Sequence, residues 1–332
     1  MKDVQPKKQF YVVLVFLVIL LTFNFVLRQV TKERQMDGSQ KLFKEASHDI
    51  KESIEYRLSG YASTLNFGKR LFESSDSITR TEFTSFYSDL GQTQPELADG
   101  VELVSYVEKV QDKKAYVNRI KMEKTQIPFQ FLYFNLKTLE EKETGYIFNY
   151  IVPHKNGSRF FGYDAAEISE LKDAFRKSEN ENRMIMTRQI NIFGKDLIFF
   201  IQPIYEKNTK LTAMKLNGFI VIAVIPYKMF EKTYSYPNIS KSVNVGASFS
   251  DSFEELFYGQ KNISVRNDQD KLQYEDSIHF MDKEIHLRVE ALPTIDQSPF
   301  EQYLPDIIFF VSSIMILGFF VAVMSYGMDE KE

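Results

Sequence analysis

Cysteine and tryptophan are both missing from this sequence. Without cysteine the chain has no disulfides, no thiolate nucleophile and no Cys-ligated zinc. The absence also fits an exported bacterial protein. Histidine is scarce, and its four copies, His48, His154, His279 and His286, never stand at the i, i+4 spacing that puts two imidazoles on one helical face. His279 and His286 read as exposed strand residues rather than a metal pair. There is no Gly-x-Ser-x-Gly elbow, phosphate-binding loop or Gly-x-Gly-x-x-Gly turn. The carboxylate pairs Glu140/Glu141 and Glu254/Glu255 are adjacent along the chain, so their side chains point apart, as on solvated faces. No catalytic residue, metal or cofactor is therefore expected. An excess of one charge is lacking too: 41 basic residues face 45 acidic ones, for a net charge of −4. That leaves no electrostatic footprint for nucleic acid.

What is abundant is aromatic side chain, with 30 Phe and 18 Tyr, so ring packing should dominate the core. Two long runs carry no charge at all, residues 10–27 and residues 307–328. Each is long enough as a helix to cross roughly 30 Å of hydrocarbon. No small-x-small cleavage site follows the first run, so it reads as an uncleaved anchor rather than a signal peptide. Lysines before it (Lys2, Lys7, Lys8) balance the basic residues after it (Arg28, Lys32, Arg34), so charge alone does not orient the chain. Length does, because long intervening segments translocate largely regardless of charge. The expectation is a two-pass protein of the plasma (inner) membrane in contact with lipid. Residues 28–306 are then extracytoplasmic, and the tails 1–9 and 329–332 cytoplasmic.

Between the spans, Phe43, Ala46, Ile50, Ile54, Leu58, Tyr61 and Leu65 recur at three- and four-residue steps. This is one apolar stripe on a stalk helix over 28–74, with Gly38 as an expected early break or kink. The stripe serves either the domain the helix carries or a second copy of the chain. Thr79 and Glu82 stand at capping-box spacing before the next helix. Strands follow at Gly100–Val110, where Tyr106 falls out of phase as at a bulge, and at Phe129–Leu136 and Thr144–Pro153, with a charged turn at Leu139–Glu143 between the last two. A hairpin turns about Gly194–Lys195, and Asn217–Pro226 is apolar throughout, hence buried on both faces. Further on, Val243–Asp251, a segment around Ile278 and Lys283–Leu292 read as strands. In the last of these Ile285, Leu287, Val289 and Ala291 alternate strictly, which buries one face. A Pro-marked linker over 293–306 leads to the second span. The fold class is α+β, with small sheets on one long helix.

One corner joins these elements. In "SRFFGYDAAEISELKDAFRKSEN" (Ser158–Asn180), Gly162 supplies a bend and Asp164 caps the helix that follows, accepting from the N–H of Ala166 or Glu167. Glu170 lies further in, where capping no longer accounts for it.

The stretch "YIVPHKNGSRFFGYD" (Tyr150–Asp164) resembles the signature of CHASE domains, the extracellular sensory domains of histidine kinases, diguanylate cyclases and nucleotide cyclases. "TRTEFTSF" (Thr79–Phe86), "AFRKSEN" (Ala174–Asn180), "FIQPIYEK" (Phe200–Lys207) and "GFIVIAVIP" (Gly218–Pro226) follow in the family's order. The resemblance implies a long stalk helix carrying two PAS-like α/β subdomains, membrane-distal over 75–230 and membrane-proximal over 231–292. It also implies a ligand in the distal one, a homodimer through the stalk, and a cytoplasmic kinase or cyclase as output, which is not part of these 332 residues. In the plant cytokinin receptors of this family an acid after the corner holds the ligand, and Glu170 takes that place here. Ile190 or Ile192 corresponds to the hydrophobic wall. Ile201 stands where those receptors carry a threonine, so the expected ligand is another small amphiphile with a donor group. Tyr150 and Met186 complete the expected pocket. The competing expectation is a periplasmic chain-length regulator of surface polysaccharide, which shares the terminal spans but is built on very long central helices.

Overall fold

The structure is a computed structural model and describes residues 5–88, 95–98, 100–122, 145–153, 157–206, 215–231, 243–253, 256–259, 272–291 and 299–329. The strand expected at Phe129–Leu136, its charged turn and His154 lie outside these residues. Helix α1 (Gln5–Ser74) runs for 70 residues, so span and stalk are one rod. The break expected at Gly38 does not occur. A single interior glycine costs about 1 kcal/mol, too little to interrupt a long hydrogen-bonded ladder. Phe43, Ile50, Ile54, Leu58, Tyr61 and Leu65 are all buried, and the stripe continues to Phe72. Arg57 lies among them, where its guanidinium donates to the Met229 carbonyl at 3.0 Å, so the buried charge is not left unpartnered.

Helix α2 (Arg80–Ser88) opens with the expected capping box. The Thr79 N–H donates to Glu82 at 2.8 Å and the Glu82 N–H to the Thr79 hydroxyl at 3.3 Å. After the short α3 (Pro95–Ala98) come β1 (Val101–Val110), α4 (Lys113–Met122) and β2 (Gly145–Pro153). Then follow α5 (Ser169–Glu181), β3 (Ile185–Met186), β4 (Ile190–Ile192), β5 (Lys195–Tyr205), β6 (Leu216–Val224) and α6 (Pro226–Glu231). These strands form one antiparallel sheet in the order β2-β1-β6-β5-β3, with β4 also on β5. The bulge expected at Tyr106 is present between Tyr106 and Val107.

Both faces of this sheet are covered, which accounts for the unbroken apolar runs of β5 and β6. Period-two alternation sends Tyr106, Phe200, Ile220 and Ile222 towards α1. Their neighbours Val107, Phe199, Ile201, Phe219 and Val221 face α5 and the corner before it.

A second antiparallel sheet has the order β8-β7-β10-β9, with β7 at Val243–Ser248, β8 at Leu256–Tyr258, β9 at Gln273–Phe280 and β10 at Lys283–Ala291. Strand β8 was not legible beforehand, being three residues long and a poor periodicity signal. Ile285, Leu287 and Val289 are fully buried, as their alternation requires. They join the α1-facing core of the first sheet, so one hydrophobic layer serves both sheets. The fold is thus α+β, with one long helix backing two antiparallel sheets.

Helix α7 (Pro299–Asp329) begins earlier than the linker expected over 293–306 allows, with Pro299 at its first position and Pro305 inside it. Windows at Leu14–Arg34 and Tyr303–Val321 are long and apolar enough to cross a membrane. The two helices pack antiparallel. Asn24 donates to the Ser312 hydroxyl at 2.6 Å, and Phe25 meets Phe309 edge-on at 6.5 Å. Arg28 and Lys32 pair with Asp306 at 2.5 and 3.0 Å.

Candidate functional site

The corner after β2 is stitched to that strand. The Phe148 N–H donates to the Tyr163 carbonyl at 3.1 Å, and the Gly162 N–H to the Phe148 carbonyl at 2.9 Å. Gly162 has φ of +72° with open space where a side chain would go, so it is the backbone angle and not crowding that calls for glycine. Asp164, 3% exposed, accepts from the Ala166 N–H at 2.8 Å, as expected of the cap, and also from the Tyr146 N–H at 3.0 Å. One carboxylate thus starts the helical segment and fastens it to the sheet.

That segment is not a single helix. A 3₁₀ turn covers Ala165–Glu167, and α5 starts anew at Ser169 with Ile168 as a cap that offers no side-chain acceptor. Glu170 therefore sits in the first turn of α5, where a carboxylate favours the positive end of the helix dipole. This corrects the view that capping effects cannot reach it. Glu170 is exposed and accepts from the Ser169 hydroxyl at 2.9 Å. Its own backbone N–H, and then that hydroxyl, hold its pKa below the usual value. At the corner itself, the Tyr163 hydroxyl is pushed up to about 12, first by burial and then by the negative charges of Glu167 and Asp164.

The other pocket candidates divide between the two faces of the first sheet. Ile190, Ile192 and Ile201 belong to the core beneath α5, packed with Leu171 and Phe175. Met186 and Tyr150 lie on the opposite face, in or against the α1 core. Tyr150 stacks there under Arg80, whose guanidinium also covers Phe161 and donates to the Asn149 carbonyl at 2.5 Å. The six residues do not surround one volume. Sequence spacing assigned a face to each of them, but the covering layer of each face comes from distant segments.

Two cavities stand out among the described residues. One, of about 510 Å³, lies beside α4 and the C-terminal end of α5. Its cations are already paired, Arg119 with Glu108 at 2.5 Å, Lys109 with Glu179 at 2.7 Å and Lys215 with Glu206 at 2.9 Å. The other, of about 330 Å³, separates the β4–β5 hairpin from the β7–β8 corner of the second sheet. Gln189, Asn191 and Asp196 line it from the hairpin, and Phe249, Ser250 and Phe257 from the second sheet. This is the outer side of the strand whose inner side carries Ile190 and Ile192. Reading the sequence missed these residues because polar positions next to a buried strand look like plain surface.

The two sheets are also tied by charge. Lys177 on α5 pairs with Asp282, in the β9–β10 turn, at 2.7 Å. Burial opposes ionisation of Asp282. The Lys177 hydrogen bond, with the charges of Lys283 and Lys177, outweighs it and holds the carboxyl below its ordinary range. No cluster of metal-ligating side chains is present among the described residues.

The family model of the CHASE domain matches residues 76–258. Among solved structures, the chain is similar to the ligand-binding domain of the Pseudomonas aeruginosa PAO1 amino acid chemoreceptor PctC in complex with GABA. The identity is 8%, with 76% of this chain and 99% of that one covered and a TM-score of 0.43. It is similar to the extracellular domain of mmHK1S-Z3, named as a histidine kinase, at 11% identity, covering 81% and 97%, with a TM-score of 0.41. The sensory domain of the Campylobacter jejuni chemoreceptor Tlp3 follows at 10% identity, covering 79% and 98%, with a TM-score of 0.37. No curated protein matches the sequence.

Proposed function

Because the chain belongs to the CHASE domain family, whose model matches residues 76–258, we propose that it is the extracytoplasmic ligand-sensing module of a two-pass membrane receptor. One observation carries this reading: the family's α/β unit is closed between two membrane-length helices that touch each other. A change inside the unit then has a mechanical route to the far side of the membrane. The polysaccharide-regulator reading is not favoured, because the middle of the chain is two antiparallel sheets rather than a set of very long helices.

The ligand, a small amphiphile with a donor group, is taken by the membrane-distal subdomain. Its wall is the face carrying Ile190, Ile192 and Ile201, and Glu170 stands at the rim on α5. Ligand that displaces α5 also displaces Lys177, about two turns beyond Glu170. Lys177 pulls on Asp282, at the head of β10, and β10 leads towards α7. From α7 the displacement reaches a cytoplasmic kinase or cyclase. Such a route works only if the ligand binds the two arrangements with different affinity.

The stalk supports a homodimer. Leu42, Tyr56 and Phe67 are 68%, 65% and 61% exposed, and they fall within about 40° of one another around the helix. They mark a second, sparse apolar stripe, away from the one that packs on the sheets, with Asp49 and Ser53 set between Leu42 and Tyr56.

A thermal-shift screen of the purified chain against small amphiphiles tests the ligand reading. A true ligand raises the melting temperature in a concentration-dependent way, and Glu170→Ala removes most of that rise. If the rise survives the substitution unchanged, Glu170 is not at the site.

A further inference from the structure

The cavity between the sheets is a place where two subdomains present complementary chemistry to the same small volume. Its roughly 330 Å³ falls at the small end of ligand pockets. On the second sheet, Phe249 and Phe257 stack with ring centroids 4.5 Å apart and lie on its wall as an apolar plate. On the hairpin side stands Arg188, exposed at the point where β3 gives way to β4. Its backbone is pinned there. The Thr187 hydroxyl donates to the Arg188 carbonyl at 2.7 Å and accepts from the Phe199 N–H at 3.0 Å.

The neighbouring cations are engaged elsewhere, Lys195 by Glu102 at 2.6 Å and Lys177 by Asp282 at 2.7 Å. Among the described residues the Arg188 guanidinium has neither an ion pair nor a hydrogen bond. An exposed arginine with no ion pair among the described residues, on the rim of a small cavity that also carries an aromatic plate, suits a carboxylate with an apolar body. Guanidinium binds carboxylate through two parallel N–H···O bonds, while the rings take up the rest of the molecule. Asp196 shares the hairpin wall, held by the Asn191 amide at 2.7 Å. Its negative charge disfavours a second anionic group on the ligand.

We propose that this inter-sheet cavity is a second ligand site, distinct from the distal face beneath α5, and that it takes a monocarboxylate with an aromatic or branched apolar body. Its two walls belong to different sheets, so an occupant fixes their separation. The site would therefore act on the same relation between sheets that the Lys177–Asp282 pair spans.

Titration calorimetry on the full chain in lipid nanodiscs tests this, with 3-phenylpropionate as probe and phenethylamine as its charge-reversed counterpart. The expected result is saturable binding of 3-phenylpropionate at one site per chain and none of phenethylamine. Arg188→Gln, a change at an exposed side chain, weakens the acid about tenfold or more while leaving the ligand-free melting temperature where it was. Glu170→Ala leaves binding of the acid unchanged. The proposal is overturned if the acid does not bind, if the amine binds equally well, or if Arg188→Gln has no effect. It is also overturned if Glu170→Ala abolishes binding, since the probe then occupies the distal face.

Discussion

Tyr87 is buried, and its hydroxyl finds no hydrogen-bond partner among the described residues. Burial alone pushes its pKa up. The hydroxyl sits over Gly68 of α1, where a Cβ would overlap it and would also come within 2.5 Å of Ile220. Glycine is needed at this point for close approach of helix, ring and sheet. Two opposite outcomes follow in chemical denaturation. Gly68→Ala costs about 1–3 kcal/mol through overpacking. Tyr87→Phe stays within about 1 kcal/mol of the parent or exceeds it, because it removes an unsatisfied buried group. Equal losses in both would mean that the hydroxyl has a partner. None of this was legible in the sequence, where Gly68 lies in an ordinary helical pattern. Gly162 and Asp164 were legible, because a turn and a cap are local devices whose partners lie within a few residues.

At the scale of elements, α1 is fastened to the second sheet by Lys51 and Asp276, 2.7 Å apart. Hydrogen bonds from Lys51 and then from the Tyr274 hydroxyl outweigh desolvation and hold the Asp276 carboxyl down at about 2. A carboxyl whose folded pKa is depressed contributes stability that is fully present above its ordinary value of 3.8, and that is lost as pH falls towards about 2. The pair is partly exposed, so solvent screening keeps the contribution modest. Melting curves of the parent and of Asp276→Asn should therefore differ at neutral pH and converge as pH drops from 3.8 towards about 2. A gap that persists at the acid end would show that packing, not charge, sets the difference. The strand beside it illustrates what periodicity can do: alternation in β10 named its buried face correctly. Helix α7 shows the limit, since its first turns contain prolines that looked like a linker, yet Pro299 fits a helix start.

For the whole molecule, the absence of cysteine makes the dimer reading simple to test. In an otherwise cysteine-free chain, Tyr56→Cys and Phe67→Cys should each cross-link two copies under mild oxidation, because both lie on the exposed stripe of the stalk. Lys215→Cys, at an exposed position just before β6, should not. Cross-linking at all three positions, or at none, removes the stalk interface.

The sequence by itself determined the two membrane-length runs, the apolar stripe of the stalk, the strand character of the middle and the corner at Gly162–Asp164. Each of these is written in a short window as composition, period or spacing, and each depends on contacts within a few turns or on burial in general. Only the tertiary structure decided what those faces meet. It set Ile190, Ile192 and Ile201 under α5, and it sent Met186 and Tyr150 to the far side of the same sheet. It also turned the polar side of the β4–β5 hairpin towards Phe249 and Phe257. A period of two tells a side chain which way to point, but the layer opposite arrives from dozens of residues away through strand order. That order is settled by which apolar surfaces can cover one another, and it leaves no mark at any single position.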